Sequence, residues 1–316
     1  MDMIDGLTRD NLHGVWLALT TPLKPDGRID TDAVRENVRR CKAIGLHGVY
    51  TSDSDGEFYA IELDDFQTLI EAFGDECSRA GIASQAGVTW SSTRGITDRL
   101  RIAAIHGVLG AHVGHPTFMP MTDAAFLQFW HDVSDTVPEG FGLIEYNTPR
   151  QPHVLQGRDF RRLNEMFPKL VGVKYVQREV DTFIESRRAA PDLAFFSGET
   201  TLTAFGLHGA RGNYSWMAAY NPRFMLDWWD DIEQGRWDEA AKKNKRVVEF
   251  SSIAKRHLKE GGNLHGIINK ALAAASPFLV ETTWETRKPY LPVSQAAWDR
   301  FKRVADEEFA DLAFNW

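Results

Sequence analysis

A single lysine interrupts an apolar segment near the middle of the chain. The segment Leu170-Val-Gly-Val-Lys-Tyr-Val176 carries no charge other than Lys174. Burying an ammonium is costly, so a lysine in such a segment indicates a chemical role. Desolvation is expected to lower the lysine pKa from about 10.4, and a neutral amine can then add to a carbonyl. The alternative is a lysine at a strand end that reaches solvent or pairs with Glu199.

A tyrosine, Tyr146, stands 28 positions before this lysine (174 minus 146). A phenol near the amine could move protons while a carbinolamine and then an imine form. The alternative is an aromatic side chain that only fills space. A second feature is the polar segment 52–57, where the backbone N–H groups of Gly56 and Glu57 could hold a carboxylate.

The elements that would position these residues alternate regularly up to about residue 216. Strands are predicted at 15–20, 47–51, 82–88, 108–113, 141–146, 170–175, 193–196 and 212–216. Helices are predicted at 30–44, 64–79, 93–106, 123–137, 158–167, 180–190 and 200–207. Eight such steps predict an α/β fold, a closed (β/α)8 TIM barrel over 1–220. An open doubly wound sheet is the alternative, but no glycine-rich dinucleotide turn follows the first strand.

The pattern changes after Pro222. Predicted helices at 223–260, 263–280 and 295–313 follow one another without strands, which indicates a C-terminal helical extension (221–316) packed on the barrel. Four tryptophans of this region are expected in the core or an interface: Trp228, Trp229, Trp237 and Trp284. In (β/α)8 barrels the active site lies at the carboxyl ends of the strands, where Lys174, Tyr146 and the segment 52–57 all fall.

Composition excludes several classes of protein. The chain has 316 residues, 43% of them hydrophobic and 25% charged, which is typical of a soluble globular protein. A net charge of −8 argues against nucleic-acid binding. The acidic first residues, MDMIDGLTRDNLHG, do not resemble a signal peptide, and no apolar stretch is long enough for a membrane span.

Cysteine and histidine usage indicates neither disulfides nor a metal site. Cys41 and Cys77 lie in predicted helices without a partner at metal-ligand spacing, so a cytoplasmic location is expected. The spacing of His106, His112 and His115 matches no zinc motif, and these histidines are expected in loops and at helix ends.

Taken together, these features resemble the dihydrodipicolinate synthase / N-acetylneuraminate lyase family of Schiff-base lyases. Its Gly-Thr-Thr-Gly-Glu-like loop appears as Asp53-Ser-Asp-Gly-Glu57, and its Tyr-Asn-x-Pro segment as Tyr146-Asn-Thr-Pro149. Its Gly-x-Lys appears as Gly172-Val-Lys174, with the same separation from the tyrosine. The steps Ser197-Gly-Glu199 and Gly209 to Ser215 follow in order.

The resemblance implies roles for individual residues. Lys174 would form an imine with pyruvate or a larger 2-oxo acid, Tyr146 would be the acid/base, and Ser54 would hydrogen-bond the tyrosine. Other substrate-binding residues would be Asp55, Gly56, Glu57, Phe118, Gly198 and Tyr214, with the backbones of Ser54, Asp55 and Tyr214 flanking the carboxylate. No metal or organic cofactor is implied, because the protonated imine is the electron sink. The family usually forms homodimers or homotetramers.

Departures from the family pattern reduce the number of family activities that fit this sequence. Asp55 replaces a carboxylate-binding threonine, Phe118 falls near a relay tyrosine, and Arg150 comes one position before the synthase's arginine, whose place is taken by Gln151. These differences argue against dihydrodipicolinate synthase itself and weaken a sialic-acid lyase assignment.

Three functional alternatives stay open after these departures. The segment 88–94 resembles the hydratase-aldolases of aromatic benzylidenepyruvates, where Trp90 could enlarge an apolar pocket. Sugar-acid dehydratases of the same family use the same lysine. A non-catalytic small-molecule-binding relative is the third alternative.

Overall fold

Eight parallel strands close into a barrel in sequence order. The computed structural model describes residues 6–259, 264–280 and 284–316. The strands are β1 Gly14–Ala18, β2 Gly48–Thr51, β3 Ala83–Gly87, β4 Gly110–Val113, β5 Gly142–Asn147, β6 Leu170–Tyr175, β7 Ala194–Ser197 and β8 Gly212–Ser215. The predicted (β/α)8 barrel is confirmed, and the predicted strands lie within two residues of the observed ones.

Helices connect the strands around the outside of the barrel. They are α1 Thr31–Ile44, α2 Leu63–Ala80, α3 Thr93–Ile105, α4 Asp123–Thr136, α5 Gly157–Met166, α6 Val180–Ala189 and α7 Leu202–Leu207. Helix α1 shows why these segments start and stop where they do. The Asp30 side chain accepts from the Ala33 backbone N–H at its start, and Gly45 ends it with a left-handed φ of 88°.

Five further α-helices follow the barrel in the part of the chain that the structure describes. They are α8 Met217–Tyr220, α9 Pro222–Glu233, α10 Trp237–Leu258, α11 His265–Ala274 and α12 Gln295–Glu308. The single helix predicted at 223–260 is wrong, because Gly235 has a φ of 70° and separates α9 from α10. Residues 260 and 263, at predicted helix ends, lie outside the described residues, as do residues 1–5.

Three of the four tryptophans singled out in the helical region, Trp228, Trp229 and Trp237, lie in or against the core, as predicted. Trp228 and Trp229 are buried against the barrel, and Trp237 packs at the edge of the same cluster. Trp284 stacks on Trp298 with ring centroids 5.2 Å apart. Among the helices that the structure describes, none is long and apolar enough to cross a bilayer.

Strand alternation divides the residues of β6 between two environments. Val173 and Tyr175 point outward into the main hydrophobic core under the helices, while Lys174 between them points inward. The lower interior of the barrel is aromatic and includes Trp16 and Phe196. Lys174 therefore lies in a polar layer of the barrel interior, next to the apolar layer that contains Trp16 and Phe196.

Candidate active site

A cavity of about 540 Å³ opens at the carboxyl ends of the strands. It lies at the end of the barrel where the sequence predicted an active site. The side of the cavity opposite the barrel is formed by α10 and α11, through Ser251, Lys255 and His265. The predicted site residues that line it are Ser54, Asp55, Tyr146, Lys174, Gly198 and Tyr214.

The Lys174 amine is enclosed by a carboxylate and three phenol rings. Its Nζ donates to Asp53 Oδ2 at 2.7 Å and to the Tyr50 hydroxyl at 3.2 Å. It also lies 4.5 Å from the ring centroids of Tyr50 and Tyr146 and 5.6 Å from that of Tyr214. A carboxylate and aromatic faces at these distances both favour the charged ammonium.

The pKa of Lys174 is raised, which contradicts the predicted lowering. Burial is the largest single effect and lowers this pKa, but the charge and hydrogen bond of Asp53, together with Tyr146 and Asp55, outweigh it. The alternative pairing with Glu199 is also wrong. Glu199 Oε1 instead accepts from the backbone N–H groups of Trp216 at 2.7 Å and Met217 at 3.1 Å, at the start of α8.

Asp53 is the centre of a buried polar chain. Its Oδ2 accepts from Lys174 and also lies 2.8 Å from His112 Nδ1, while Oδ1 accepts from the Ser54 backbone at 2.8 Å. The second ring nitrogen of His112 contacts the Gln85 side chain at 2.7 Å. Burial works against its ionised form, but Lys174 and His112 hold the pKa of Asp53 well below its usual range. Burial lowers the pKa of His112 to about 4, so this ring is neutral near pH 7.

Tyr146 stands beside Lys174 in the barrel wall. The two residues are register partners on β5 and β6, which places the phenol next to the amine. The Tyr146 hydroxyl forms the predicted hydrogen bond with Ser54 Oγ, at 3.0 Å. Burial and the Asp53 carboxylate raise the pKa of Tyr146, so it is a protonated phenol at neutral pH.

Gly56 and Glu57 fix the loop after β2 but do not line the cavity. Glu57, in a left-handed conformation with a φ of 59°, forms a buried ion pair with Lys270 at 2.8 Å. It also accepts from the Arg287 backbone N–H at 3.0 Å. A Cβ on Gly56 would lie 2.5 Å from the Ser52 nitrogen, so only glycine fits there. Both residues hold the loop's shape, and neither is placed to contact a substrate.

Asp55 lines the cavity but turns toward α11. Its Oδ1 accepts from Asn269 Nδ2 at 2.7 Å and lies 3.7 Å from His265 Nδ1. Burial opposes its ionisation, but His265, the positive charge of Lys174 and Asn269 together outweigh it and lower the pKa of Asp55. Asp55 is therefore a charged carboxylate at neutral pH, and it is paired with residues of α11.

Two aromatic residues singled out in the sequence lie away from the cavity. Phe118 is 88% exposed on the loop between β4 and α4, so its predicted contact with substrate is not formed in this chain. Trp90 lies against α3, with the Arg99 guanidinium 3.7 Å from its ring, and does not widen the pocket.

Arg150 does line the cavity, whereas Gln151 is buried behind it and donates to the Tyr146 carbonyl at 3.0 Å.

Several residues of the site were missed by the sequence analysis. Asp53 occupies the glycine position of the family loop, and this departure was the signal for it. His112 was expected in a loop or at a helix end, but it lies inside the barrel on β4. The partners of Asp55 on α11 carry no sequence signal.

The mouth of the cavity is cationic. Arg150, Arg178, Lys255 and Lys259 line its outer part. Burial and the positive charges of Arg178 and Lys259 lower the pKa of Lys255, against the smaller effect of Glu199. An anionic group on a ligand would be stabilised there. Among the described residues, no group of three or more potential ligands is arranged to hold a metal ion.

Comparison with known proteins agrees with this architecture. The dihydrodipicolinate synthetase family matches residues 11–308. N-acetylneuraminate lyase of Salmonella typhimurium is 24% identical over 307 residues, 96% of this chain and 99% of its own. A DapA-like lyase of Halobacterium salinarum is 26% identical over 247 residues, 78% of this chain and 80% of its own.

Solved structures show the same fold. YagE, a prophage protein of E. coli K12 in the dihydrodipicolinic acid synthase family solved in complex with pyruvate, superposes with a TM-score of 0.85. The superposition covers 94% of this chain and 98% of YagE at 16% sequence identity.

Proposed function

This chain belongs to the dihydrodipicolinate synthetase family of lyases, and from that membership we propose that it cleaves or dehydrates a 2-oxo acid through an imine on Lys174. The observation that carries the proposal is the position of Lys174 Nζ. It is the amine of a buried lysine that lines the cavity, beside a phenol that is itself hydrogen-bonded to a serine. These are the groups needed to form an imine and to move protons around it.

The reaction would start with attack of the Lys174 amine on the substrate's C2 carbonyl. Loss of the carbonyl oxygen as water leaves a protonated imine, in which nitrogen carries the positive charge. A bond at C3 or C4 can then break with its electron pair drawn toward nitrogen. Tyr146 would carry the protons, as a phenol that hydrogen-bonds to Ser54 at 3.0 Å.

The substrate carboxylate would be held by backbone N–H groups of the loop after β2. The Ser54 N–H donates to Asp53 and the Glu57 N–H donates to the Ser54 carbonyl, so the Asp55 N–H is the donor left in the part of that loop that lines the cavity. The side chain of Asp55 is occupied by Asn269 at 2.7 Å, which reduces its repulsion of an incoming carboxylate.

The cavity favours a polar substrate over an aromatic one. Trp90 and Phe118, the aromatic residues proposed for a benzylidenepyruvate pocket or relay, do not line it. Its outer lining is instead cationic or hydroxylated, as in Arg178, Lys255 and Thr200. We therefore expect a hydroxylated 2-oxo acid, or one with a second anionic group, and place the aromatic hydratase-aldolase activity second.

Reductive trapping tests the imine. Incubation with pyruvate and borohydride should add one reduced pyruvyl group at Lys174, located by peptide mass spectrometry. Lys174→Ala should abolish the adduct, whereas Lys255→Ala, which changes another lysine of the same cavity, should retain it. Absence of any adduct across a panel of 2-oxo acids would exclude this mechanism.

A non-catalytic binding protein is the candidate outside the enzymes, and one observation favours it. The Asp53 carboxylate keeps Lys174 as an ammonium, which cannot attack a carbonyl without first losing a proton. Turnover assays on hydroxylated 2-oxo acids distinguish the two, because a binding protein would bind such acids without converting them.

A further inference from the structure

We propose that Asp53 is a catalytic residue of this lyase, which takes the proton that Lys174 must lose before attack and then stabilises the charged imine nitrogen. The inference rests on the proposed imine mechanism. It concerns a residue that stands where the resembling loop motif has glycine, so the motif itself assigns no role to this side chain.

The geometry supports direct proton transfer. Asp53 Oδ2 lies 2.7 Å from Lys174 Nζ, and the Asp53 side chain is buried. Lys174 Nζ is the reacting atom, and the substrate has to approach it from the cavity. The carboxylate is therefore within hydrogen-bonding distance of the nitrogen that becomes the imine.

The protons balance in imine formation with Asp53 as the only group that takes up a proton and later returns it. The Lys174 ammonium gives one proton to the Asp53 carboxylate, and the amine lone pair forms the bond to C2. A second nitrogen proton moves to the carbinolamine oxygen by way of Tyr146. Asp53 then returns its proton to that hydroxyl, the carbon–oxygen bond breaks, and water leaves. The products are a protonated imine and an ionised Asp53, so the charges at the start and the end are the same.

Two positioning residues hold the Asp53 carboxylate in this orientation. His112 is neutral and donates from Nδ1 to Asp53, so its Nε2 accepts. The group that donates to Nε2 is then the Gln85 amide NH2, which takes the 2.7 Å position when the amide is turned over.

This orientation satisfies the buried His112 ring. In the opposite amide orientation, two acceptors, His112 Nε2 and Gln85 Oε1, would face each other at 2.7 Å without a proton between them. Buried polar groups are rarely left unsatisfied, so the chain from Gln85 through His112 to Asp53 is favoured. A chain of this kind holds Oδ2 toward Lys174 rather than toward solvent.

Other titratable and charged groups face the Asp53–Lys174 pair from several elements. They are Tyr50 on β2, Asp55 in the following loop, Tyr146 on β5, Arg150 after it, Glu199 after β7 and Tyr214 on β8. Among these groups and Asp53, Asp53 has the largest effect on the pKa of Lys174. Removing the Asp53 charge takes away the main effect that raises the Lys174 pKa, while burial still lowers it. The amine should therefore become neutral at a lower pH.

The test measures the pH dependence of pyruvate trapping by cyanoborohydride in the full-length protein. In Asp53→Asn, the midpoint of adduct formation should move down by about 1–3 pH units, as expected on loss of a nearby opposite charge. Turnover should fall about 10²–10⁴-fold, because the proton acceptor is lost and the imine is less protonated. Asp53→Gly, which restores the residue of the resembling loop motif, should shift the midpoint in the same direction.

A matched control is Glu145→Gln. Glu145 forms another buried carboxylate–histidine pair, 3.1 Å from His115 Nε2, and it does not line the cavity. Its trapping midpoint should equal that of the unaltered protein. His112→Gln tests the positioning role, and it should lower turnover while shifting the midpoint less than Asp53→Asn.

The outcomes separate this inference from the proposed function. If the unaltered protein traps no 2-oxo acid at any pH, both fail. If it traps pyruvate and the midpoint is the same in both Asp53 variants, the imine mechanism stands and the role of Asp53 is overturned. A downward shift in both variants, absent from Glu145→Gln, supports it.

Discussion

Asp55 Oδ1 accepts a hydrogen bond from Asn269 Nδ2 at 2.7 Å, although the two residues are 214 positions apart in the chain. The contact joins the loop after β2 to helix α11, and it occupies the carboxylate that replaces the family's carboxylate-binding threonine. His265, one turn earlier on α11, lies 3.7 Å from the same oxygen. The helical region thus completes the site rather than only covering the barrel.

Replacing Asp55 by threonine should change substrate turnover more than pyruvate binding. Because Asp55 turns toward α11, its charge contributes little repulsion at the pyruvate carboxylate, and the pyruvate dissociation constant should hardly move. Turnover of a longer hydroxylated substrate should fall, since Asp55 lines the cavity and its carboxylate points toward α11, on the side opposite the barrel. Calorimetric titration and steady-state kinetics measure the two effects.

The same variant can contradict this orientation. A clear tightening of pyruvate binding in Asp55→Thr would mean that the carboxylate faces the substrate carboxylate, where two anions about 4 Å apart repel by about 4 kcal/mol at an effective dielectric of about 20. Asn269→Ala is the companion variant. It should weaken pyruvate binding, because it frees the Asp55 carboxylate from its partner.

Tyr146→Phe should reduce kcat by about 10²–10⁴ in an assay limited by chemistry, because it removes the phenol that moves protons. Ser54→Ala should cause a smaller loss, since it removes only the hydrogen bond that orients the phenol. Tyr175→Phe is the matched control: Tyr175 lies on β6 but packs in the outer core and does not line the cavity. Near-normal kcat in Tyr146→Phe would mean that another group carries the protons.

Much of the fold could be predicted because it rests on local periodicity. Alternating strands and amphipathic helices appear in the residue pattern, and glycines such as Gly45 mark where helices end. The reactive pair could also be predicted, since Lys174 interrupts an apolar strand and Tyr146 ends another predicted strand 28 positions earlier.

The electrostatic state of the site could not be predicted in this way. The pKa of Lys174 depends on which residue of the 52–57 segment faces inward, and strand periodicity does not extend into that loop. Asp53 reverses the expected direction, and it was visible only as a departure from the family's glycine. His112 depends on the register between β3 and β4, which sets it beside Gln85. The contact between α11 and Asp55 depends on tertiary packing, which brings together residues 214 positions apart in the chain.

The buried Glu57–Lys270 pair should be essential to the stability of the loop after β2. Both side chains are fully buried and lie 2.8 Å apart. Lys270→Ala would leave an unpaired buried carboxylate, and we expect the free energy of unfolding to fall by about 3–5 kcal/mol. Thermal or denaturant unfolding measures this change. Lys242→Ala, which breaks an exposed pair with Glu239, should change stability little. Equal effects of the two variants would contradict the assigned role of the buried pair.

Self-association stays a prediction, but the tryptophans of the helical region do not form the surface that would mediate it. The tryptophans Trp228 and Trp229 of the helical region are buried within the chain and offer no apolar surface to a partner. Exposed apolar side chains occur instead at Phe118 and Met119, on the loop between β4 and α4. We expect a dimer or tetramer by light scattering at micromolar concentration. A monomer at that concentration would contradict the expectation.

The cationic mouth should select 2-oxo acids with a distal anion. The matched probes are 2-oxoglutarate and 2-oxopentanoate, which have the same chain length and differ in the distal carboxylate. The unaltered protein should be trapped by borohydride at lower concentrations of 2-oxoglutarate, and added salt should reduce the difference because it screens exposed charges. Lys255→Ala should weaken 2-oxoglutarate trapping by up to about fivefold, the size expected of a partly exposed ion pair, and leave 2-oxopentanoate unaffected. Lys245→Ala, on the same helix but outside the cavity, should change neither. Equal trapping of the two acids by the unaltered protein would show that the mouth does not recognise a second anionic group, and a neutral hydroxylated chain would then be the better candidate for the distal part of the substrate.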